Sequence, residues 1–494
     1  MNGARIPGDL AGFRIHMVGI KGTGMAALAE LLVSRGAIVT GSDVPEEFYT
    51  DEILRRLGIT PRAPFKAGNL DADARLVVHS AAYKRDENPE LRAAAERGIP
   101  ILLYSEALGE FSAHSFSCGI AGVHGKTTTT GMAGTVLSSL PLAASVLAGS
   151  SIKSFGDRCT MINGSKYFVA ETCEYQRHFM SFRPRKIVLT SVESDHQDYY
   201  PTYESILAAF MQYVDLLPQF GELIYCADDP GACEAAKLIY ASRPDIVFTP
   251  YGEKALGDWR LAVKGIKDER LVFSLAGVRG EFRLRVPGRH NARNAAAAIA
   301  LAMSLLREEG IEPTIELVGS MRAAIESFAG SRRRSEIVGE AGGVLVVDDY
   351  AHHPTAIRTT LAGLREFYPN RRIVVDFMSH TYSRTAALLE DFAASFADAD
   401  EVVLHKIYAS ARERYEGGVD GKTLFEAAKK RHKKVSYFDE VSDARSFLLE
   451  SLKPGDLFVT MGAGDNWRAG RDFLADASAA GASGARAGRK EKRA

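Results

Sequence analysis

An apolar run, Phe116–Ala121, passes directly into Gly122-Val-His124-Gly125-Lys126-Thr127-Thr128-Thr-Thr, and a helix-forming stretch follows. A strand that ends in a glycine-rich turn and reopens as a helix belongs to a parallel α/β sheet, because the turn sits at the carboxyl edge of the strands. The strict phosphate-loop pattern G-x-x-x-x-G-K-[ST] expects glycine where this chain has Ile120. Its chemical requirements are nevertheless present. Gly122 and Gly125 let backbone N–H groups turn onto phosphate oxygens, with His124 between them, and Lys126 brings charge to the β- and γ-phosphates. Thr127 offers a hydroxyl to Mg²⁺, and with Thr128 it opens a helix whose positive end faces the nucleotide.

Around this turn, short apolar runs alternate with helical spacing. Phe13–Ile20, Ala37–Gly41, Leu76–Ser80 and Ile99–Leu103 read as strands, and Met25–Ser34, Asp51–Leu57 and Pro89–Arg97 as helices. After the phosphate loop, Tyr167–Ala170 and Ile187–Thr190 read as buried strands and Asn294–Leu306 as an alanine-rich helix. A third series has strands at Val344–Asp348, Ile373–Phe377, Glu401–His405 and Leu457–Met461. At 494 residues the chain is too long for one core. The reading is therefore α/β with three domains: 1–112, 113–326 and 327–475. The first and last are Rossmann-like and the central one is P-loop ATPase-like. The small-residue, basic stretch 476–494 has nothing to bury and is expected to be a disordered tail.

With 61 basic and 62 acidic residues the net charge is −1, so no global positive field exists to gather nucleic acid. The five cysteines are scattered without a C-x-x-C pair, which argues against a disulfide framework or a zinc site and for a reducing compartment. No amino-terminal signal pattern and no run near 18 apolar residues is present, so the expectation is a cytoplasmic protein without a membrane span.

A phosphate loop needs partners. Glu171 closes the strand Tyr167–Ala170 and His196 follows the next strand in Ser-Val-Glu-Ser-Asp-His, so both are candidate metal ligands beside Thr127. These segments together resemble the central domain of the Mur ligase family. The likeness continues through Gly288-Arg-His290-Asn291-Ala-Arg-Asn294, through Phe328-Ala-Gly-Ser-Arg-Arg333-Arg334-Ser-Glu, and through Asp348-Asp349-Tyr350-Ala-His352-His353-Pro, in family order. It runs from about Arg14 to Asp465. It implies ATP and two Mg²⁺ ions as cofactors. His290, Asn291 and Asn294 would lie at the adenine, an arginine of the Arg333–Arg334 pair at the γ-phosphate, and Asp349 on the ribose.

In the first domain, Gly19, Gly22, Thr23, Gly24 and Met25 form a glycine loop between strand and helix, with Ser42 and Asp43 ending the second strand and Ser80 the third. Such a loop serves either a dinucleotide or the pyrophosphate of a UDP-sugar. The resemblance favours the UDP-sugar, since a ligase has no use for hydride transfer. In the third domain, Ser379-His380-Thr-Tyr-Ser-Arg384-Thr resembles the segment by which alanine-adding members orient the amino acid. The resemblance thus implies UDP-N-acetylmuramate and L-alanine as substrates, joined through an acyl phosphate, in a monomer or homodimer. Lys126 and His196 would stabilise phosphoryl transfer, and Tyr350, His352, His380 and Arg384 would surround the alanine.

Three departures stand out. Lys21 replaces a glycine of the first loop, Glu171-Thr-Cys-Glu174-Tyr-Gln-Arg177 lacks two of the usual carboxylates, and Ala356 replaces a glutamate. The last is closer to ligases that recycle a preformed tripeptide, which are the alternative reading. The stretch Ile206–Gln212 has no lysine where other members carry a carbamylated one, and this excludes the later amino-acid-adding steps. A regulator that keeps the fold without catalysis, and an NAD-dependent enzyme, are the remaining rivals.

Overall fold

In the computed structural model, residues 5–409 and 417–491 are described. The first unit has strands β1 Arg14–Val18, β2 Ile38–Ser42, β3 Leu76–His79 and β4 Ile101–Leu103, interleaved with helices α1 Thr23–Ser34, α2 Thr50–Arg56, α3 Pro89–Glu96 and α4 Tyr104–Ser112. Its strands form one parallel sheet in the order β2-β1-β3-β4. Parallel strands covered on both faces need apolar residues throughout, and β3 is buried at every position.

The central unit opens with β5 Phe116–Ala121 and α5 Lys126–Leu137. It continues through β6 Ala144–Ile152, β7 Arg158–Asn163, β8 Tyr167–Glu171, β9 Lys186–Leu189, α6 Tyr203–Val214, β10 Glu222–Cys226, α7 Pro230–Ser242 and β11 Val247–Tyr251. The sheet order is β11-β10-β9-β5-β8-β6-β7. This places β5, and therefore the phosphate loop, between the ends of β8 and β9. Strands β12 Leu261–Lys267, β13 Arg270–Leu275 and β14 Val278–Leu284 form a separate antiparallel sheet, followed by α8 Arg289–Glu308 and α9 Ile315–Ser327. The run of buried alanines Ala295–Ala298 on α8 presents no long side chains, which lets this helix pack closely on α5.

The third unit contains β15 Glu336–Ala341, β16 Val344–Asp349, α10 Pro354–Phe367, β17 Ile373–Met378, α11 Tyr382–Ala387, α12 Leu389–Ala393, β18 Glu401–Leu404, α13 Gly421–Lys429, β19 Val435–Tyr437, α14 Arg445–Ser451, β20 Leu457–Gly462 and α15 Trp467–Glu491. Its sheet runs β15-β16-β20-β17-β18-β19, and all pairs are parallel except the β15–β16 hairpin.

Two expectations need correction. The antiparallel pair β6–β7 and the β12–β14 sheet break the uniform strand–helix alternation read from the sequence. Their strands carry mixed polar residues and give only a weak signal of period two. Of the stretch 476–494, expected to be a disordered tail, the part to Glu491 continues helix α15, and 492–494 lie outside the described residues. Its first turns bury Ala469 and Phe473 against the sheet, and Asp476 accepts from Arg445 Nη2 at 2.6 Å. A helix nucleated by packed residues extends cheaply through alanine-rich sequence, because nucleation and not propagation is the costly step. Among the described residues no helix is long and apolar enough to cross a membrane.

Candidate active site

The phosphate loop owes its shape to two close approaches. Gly122 has φ +136, and a Cβ there would stand 2.1 Å from Thr190 Oγ1. Gly125, at φ +81, caps α5 and faces Asn294, whose Oδ1 would lie 2.8 Å from an added Cβ. The loop is pinned to the segment after β9. His124 N donates to Ser191 Oγ at 2.8 Å, and Thr190 Oγ1 donates to the His124 carbonyl at 2.5 Å. Glu171, at the end of β8, lines the same cavity as Gly125, Lys126, Thr127 and Thr128, and its Oε2 accepts from Gly149 N at 2.7 Å. The cavity measures about 270 Å³.

Lys126 is held by a residue not assigned from the sequence. Its Nζ donates to Glu174 Oε2 and Oε1 at 2.9 and 3.1 Å, and also to the Gly122 carbonyl. Burial alone would push the ammonium down, but the Glu174 carboxylate outweighs it and the Lys126 pKa is raised. Burial likewise disfavours charge on Glu174. Lys126, and His196 at 3.5 Å, reverse that and hold its carboxyl below the ordinary value. His196 has φ +55, a left-handed backbone that costs a non-glycine residue of order 1–3 kcal/mol. Its ring lies 4.7 Å from that of Tyr175.

At the nucleotide end, His290, Asn291 and Asn294 line the cavity. Asn291 Nδ2 donates to the Pro287 carbonyl at 2.6 Å and Asn294 Nδ2 to Asn291 Oδ1 at 3.0 Å. His290 is half-buried, its buried Nδ1 has no partner among the described residues, and desolvation holds its pKa down to about 4. An unfolded imidazole titrates near about 6.5. As pH falls below that value, the unfolded chain takes up a proton that folded His290 refuses until about pH 4. Stability therefore falls with pH across this window, at up to about 1.4 kcal/mol per unit from this residue. Thermal denaturation followed over that range should show His290→Gln with a shallower acid slope than wild type. Identical slopes would mean that His290 is not held neutral.

The C-terminal unit supplies the far wall. Asp349 lines the cavity, and its carboxylate already accepts from Ser335 N at 2.6 Å and Ala351 N at 2.8 Å. The two neighbouring arginines part company. Both guanidinium groups lie over the Tyr350 ring, Arg334 at 5.1 Å and Arg333 at 5.2 Å, but only Arg334 lines the cavity. Arg333, at φ +58, turns away: its Nε donates to Asp348 Oδ2 at 2.9 Å and its Nη2 to the Gly462 carbonyl at 2.8 Å. Three-sided hydrogen bonding holds Arg333 against β16 and β20, and it does not line the cavity.

Tyr350, His380 and Arg384 lie outside the cavity lining, whereas His352 is on it. His352 Nδ1 lies 2.8 Å from the Tyr350 carbonyl, and its ring lies 6.2 Å from that of His380. Burial, with the positive Arg384 near by, pushes the His352 pKa well down. Arg384 reaches across to the central unit, where its Nη2 and Nε donate to Asp195 Oδ1 at 2.9 and 3.1 Å. Burial works against charge on Asp195, but Arg384 overcomes it and holds the carboxyl far below its ordinary range. A second tie joins the same two units. Glu193 Oε1 accepts from Thr355 Oγ1 at 2.6 Å, and its Oε2 lies 3.1 Å from His124 Nε2. Glu174, Glu193, Asp195, His353 and Thr355 all escape the sequence reading.

In the first unit, a second cavity of about 240 Å³ is lined by Gly22, Thr23, Gly24, Met25 and Ser80, with Tyr104 and His178 opposite. Gly19, Ser42 and Asp43 are not on its wall. Gly19 is packed under the Tyr83 ring, Ser42 is buried, and Asp43 accepts from Lys21 N at 2.6 Å and from Tyr83 Oη at 3.2 Å. They shape the loop from behind. Lys21 neither reaches the cavity nor lies in solvent: it is buried, and its Nζ donates to the Glu46 carbonyl at 2.8 Å beside Asp51.

Comparison with known proteins follows this division. The model described as "Mur ligase family, catalytic domain" matches residues 14–116, "Mur ligase middle domain" 120–302 and "Mur ligase, glutamate ligase domain" 333–464. The chain is 57% identical over 470 residues to UDP-N-acetylmuramate–L-alanine ligase of Treponema pallidum, covering 95% of this chain and 98% of that one. It is 40% identical over 463 residues to the same-named protein of Borreliella burgdorferi, covering 93% and 98%. The crystal structure of UDP-N-acetylmuramate-alanine ligase from Thermotoga maritima superposes with a TM-score of 0.73 at 26% identity, covering 94% and 99%.

Proposed function

The chain belongs to the Mur ligase family, and on that premise we propose that it joins L-alanine to the carboxylate of UDP-N-acetylmuramate through an acyl phosphate made from ATP. The observation that carries this reading is the convergence of the central and C-terminal units on the phosphate loop, with a separate cavity in the first unit. Lys126 and Glu171 come from the central sheet, Arg334 and Asp349 from the C-terminal unit, and the loop Gly22–Met25 opens a separate cavity for the sugar nucleotide.

The donor chemistry of the site fits Mg²⁺: the Thr127 hydroxyl and the Glu171 carboxylate are hard oxygen ligands lining one cavity. Bound there, the ion would neutralise charge on the transferring phosphoryl group. His196, beside Glu174, is the candidate for a second ion. Lys126 sits at the amino end of α5, and its charge stabilises the phosphoryl oxygens as the muramyl carboxylate takes the γ-phosphoryl group and ADP leaves. To reach the nucleotide, Lys126 releases Glu174, so that carboxylate acts as its holder between turnovers.

Alanine's amine must be neutral to attack the carbonyl carbon. His352 is suited to accept a hydrogen bond from that neutral amine and so to orient it. Its Nδ1–H donates to the Tyr350 carbonyl, which leaves Nε2 with a free lone pair, and burial keeps the ring neutral. Arg384, aimed by Asp195, offers its Nη1 edge beside His380 to alanine's carboxylate. Collapse of the tetrahedral adduct expels phosphate. Closure of the central and C-terminal units around the cavity would exclude the water that hydrolyses the acyl phosphate.

The deciding experiment measures phosphate release from ATP with UDP-N-acetylmuramate, offering either L-alanine or the L-Ala–D-Glu–diaminopimelate tripeptide. Release with alanine is expected. Release with the tripeptide alone would make the chain a recycling ligase, and would show that Ala356 weighs more than the His380–Arg384 segment.

A further inference from the structure

The seam between the phosphate loop and α10 gathers two imidazoles and a carboxylate, of which Glu193 and His353 have no part in the reaction above. One donor atom each from His124, Glu193 and His353 lies within 4.8 Å of the others. The His124 and His353 ring centroids are 5.2 Å apart. His353 is only 4% exposed and, among the described residues, its Nε2 has no hydrogen-bond partner. Its Nδ1 lies 3.4 Å from Thr355 N at the start of α10, a cap that is given up when a ligand takes the Nε2 lone pair and the ring proton moves to Nδ1. A buried polar nitrogen left unpaired costs about 1–3 kcal/mol, so a ligand that takes it up is favoured. Glu193 is already oriented from behind, because Thr355 Oγ1 donates to its Oε1 at 2.6 Å and leaves Oε2 facing His124.

We propose that His124, Glu193 and His353 bind a divalent transition-metal ion of the zinc type, which ties the phosphate loop to α10. Two imidazoles and one glutamate make a three-ligand set for a four-coordinate ion, with its last position open. Here that position faces the nucleotide cavity, which all three residues line. Imidazole nitrogens select zinc, cobalt or nickel over Mg²⁺, so this site is chemically distinct from the oxygen site at Thr127 and Glu171. His124 Nε2 and Glu193 Oε2 already stand 3.1 Å apart, and bonds of about 2.0–2.1 Å would draw the His353 donor in to join them. The ion would therefore hold the central and C-terminal units shut, and its expected effect is to slow turnover. Thr355 is the outer partner that holds Glu193 in place.

The test uses the full-length protein, stripped of metal and free of nucleotide, in buffer with excess Mg²⁺ to saturate oxygen sites. Co²⁺ is titrated while its visible absorption is followed, and Zn²⁺ is titrated by calorimetry. One equivalent is expected to bind, with the strong visible bands of a four-coordinate ion. His353→Ala should weaken binding at least about tenfold, and Thr355→Val by about tenfold as an outer-shell effect. Melting curves without metal establish that the variants are folded. Absence of the bands in wild type overturns the proposal, and this reading does not depend on any variant folding. So does equal affinity in wild type, Glu193→Gln and His353→Ala, or loss of binding on replacing the exposed thiol in Cys173→Ser instead.

Discussion

Lys126→Ala is expected to lower the rate of ATP-dependent phosphate release by about 10³-fold or more, the largest loss of any single substitution here. Removing one preorganised donor from a developing oxyanion typically costs about 10²–10³ in kcat, and Lys126 carries a full charge. The structure adds a second consequence. Lys126 and Glu174 side chains are 13% and 3% exposed and pair at 2.9 Å. Removing the lysine strands a buried carboxylate with only His196 beside it, and breaking such a pair costs about 3–5 kcal/mol. The single variant should therefore melt earlier than wild type. Adding Glu174→Gln should recover most of that loss without recovering any activity. Activity within tenfold of wild type in either variant would remove Lys126 from the phosphoryl site.

The difference between what the sequence discloses and what it hides follows from the distance over which each residue acts. Gly122, Gly125, Lys126 and Thr127 act through the local geometry of a strand–turn–helix, and six consecutive letters carry the whole constraint. The strands of the parallel sheets are legible for a similar reason, since burial on both faces leaves unbroken apolar runs. Glu174, Glu193 and Asp195 were missed because their meaning depends on partners 48, 69 and 189 residues away. No spacing rule distinguishes them from solvated acids. Adjacent arginines present the same difficulty at shorter range. Arg333 and Arg334 are chemically alike, and only a left-handed backbone at Arg333 sends one to β16 and the other to the cavity. Ser42 and Asp43 stand at the correct strand end, yet they face the back of the loop because Lys21 N and Tyr83 claim the carboxylate. The carboxy-terminal segment was misread by composition, which reports what a chain can bury and not what a helix already begun can extend through.

Arg384→Ala is expected to raise the KM for alanine by about 10- to 100-fold while the KM for ATP changes little, if the guanidinium meets the amino acid as proposed. An equal rise in both would leave Arg384 with a structural role alone. That role is itself measurable. Arg384 and Asp195 are each 6% exposed at the side chain and pair at 2.9 Å across the central and C-terminal units. Arg384→Ala and Asp195→Asn should each cost about 3–5 kcal/mol, because each leaves its partner charged and buried or poorly matched. The double variant should cost clearly less than their sum. Costs that add to within about 0.5 kcal/mol would mean that the two residues do not interact. The pair should also respond to acid in a defined direction. The Asp195 carboxyl is held far below its ordinary value in the folded chain, whereas in the unfolded chain it titrates near about 3.9. Its stabilisation is therefore complete above about pH 4 and is lost progressively below it, as the unfolded state takes up a proton that the folded state refuses. Asp195→Asn has no such proton to take up, so its stability, though lower at neutral pH, should approach that of wild type as the solution is acidified. Two curves that stay parallel down to pH 3 would place the Asp195 carboxyl outside the buried pair and leave Arg384 free to swing toward solvent.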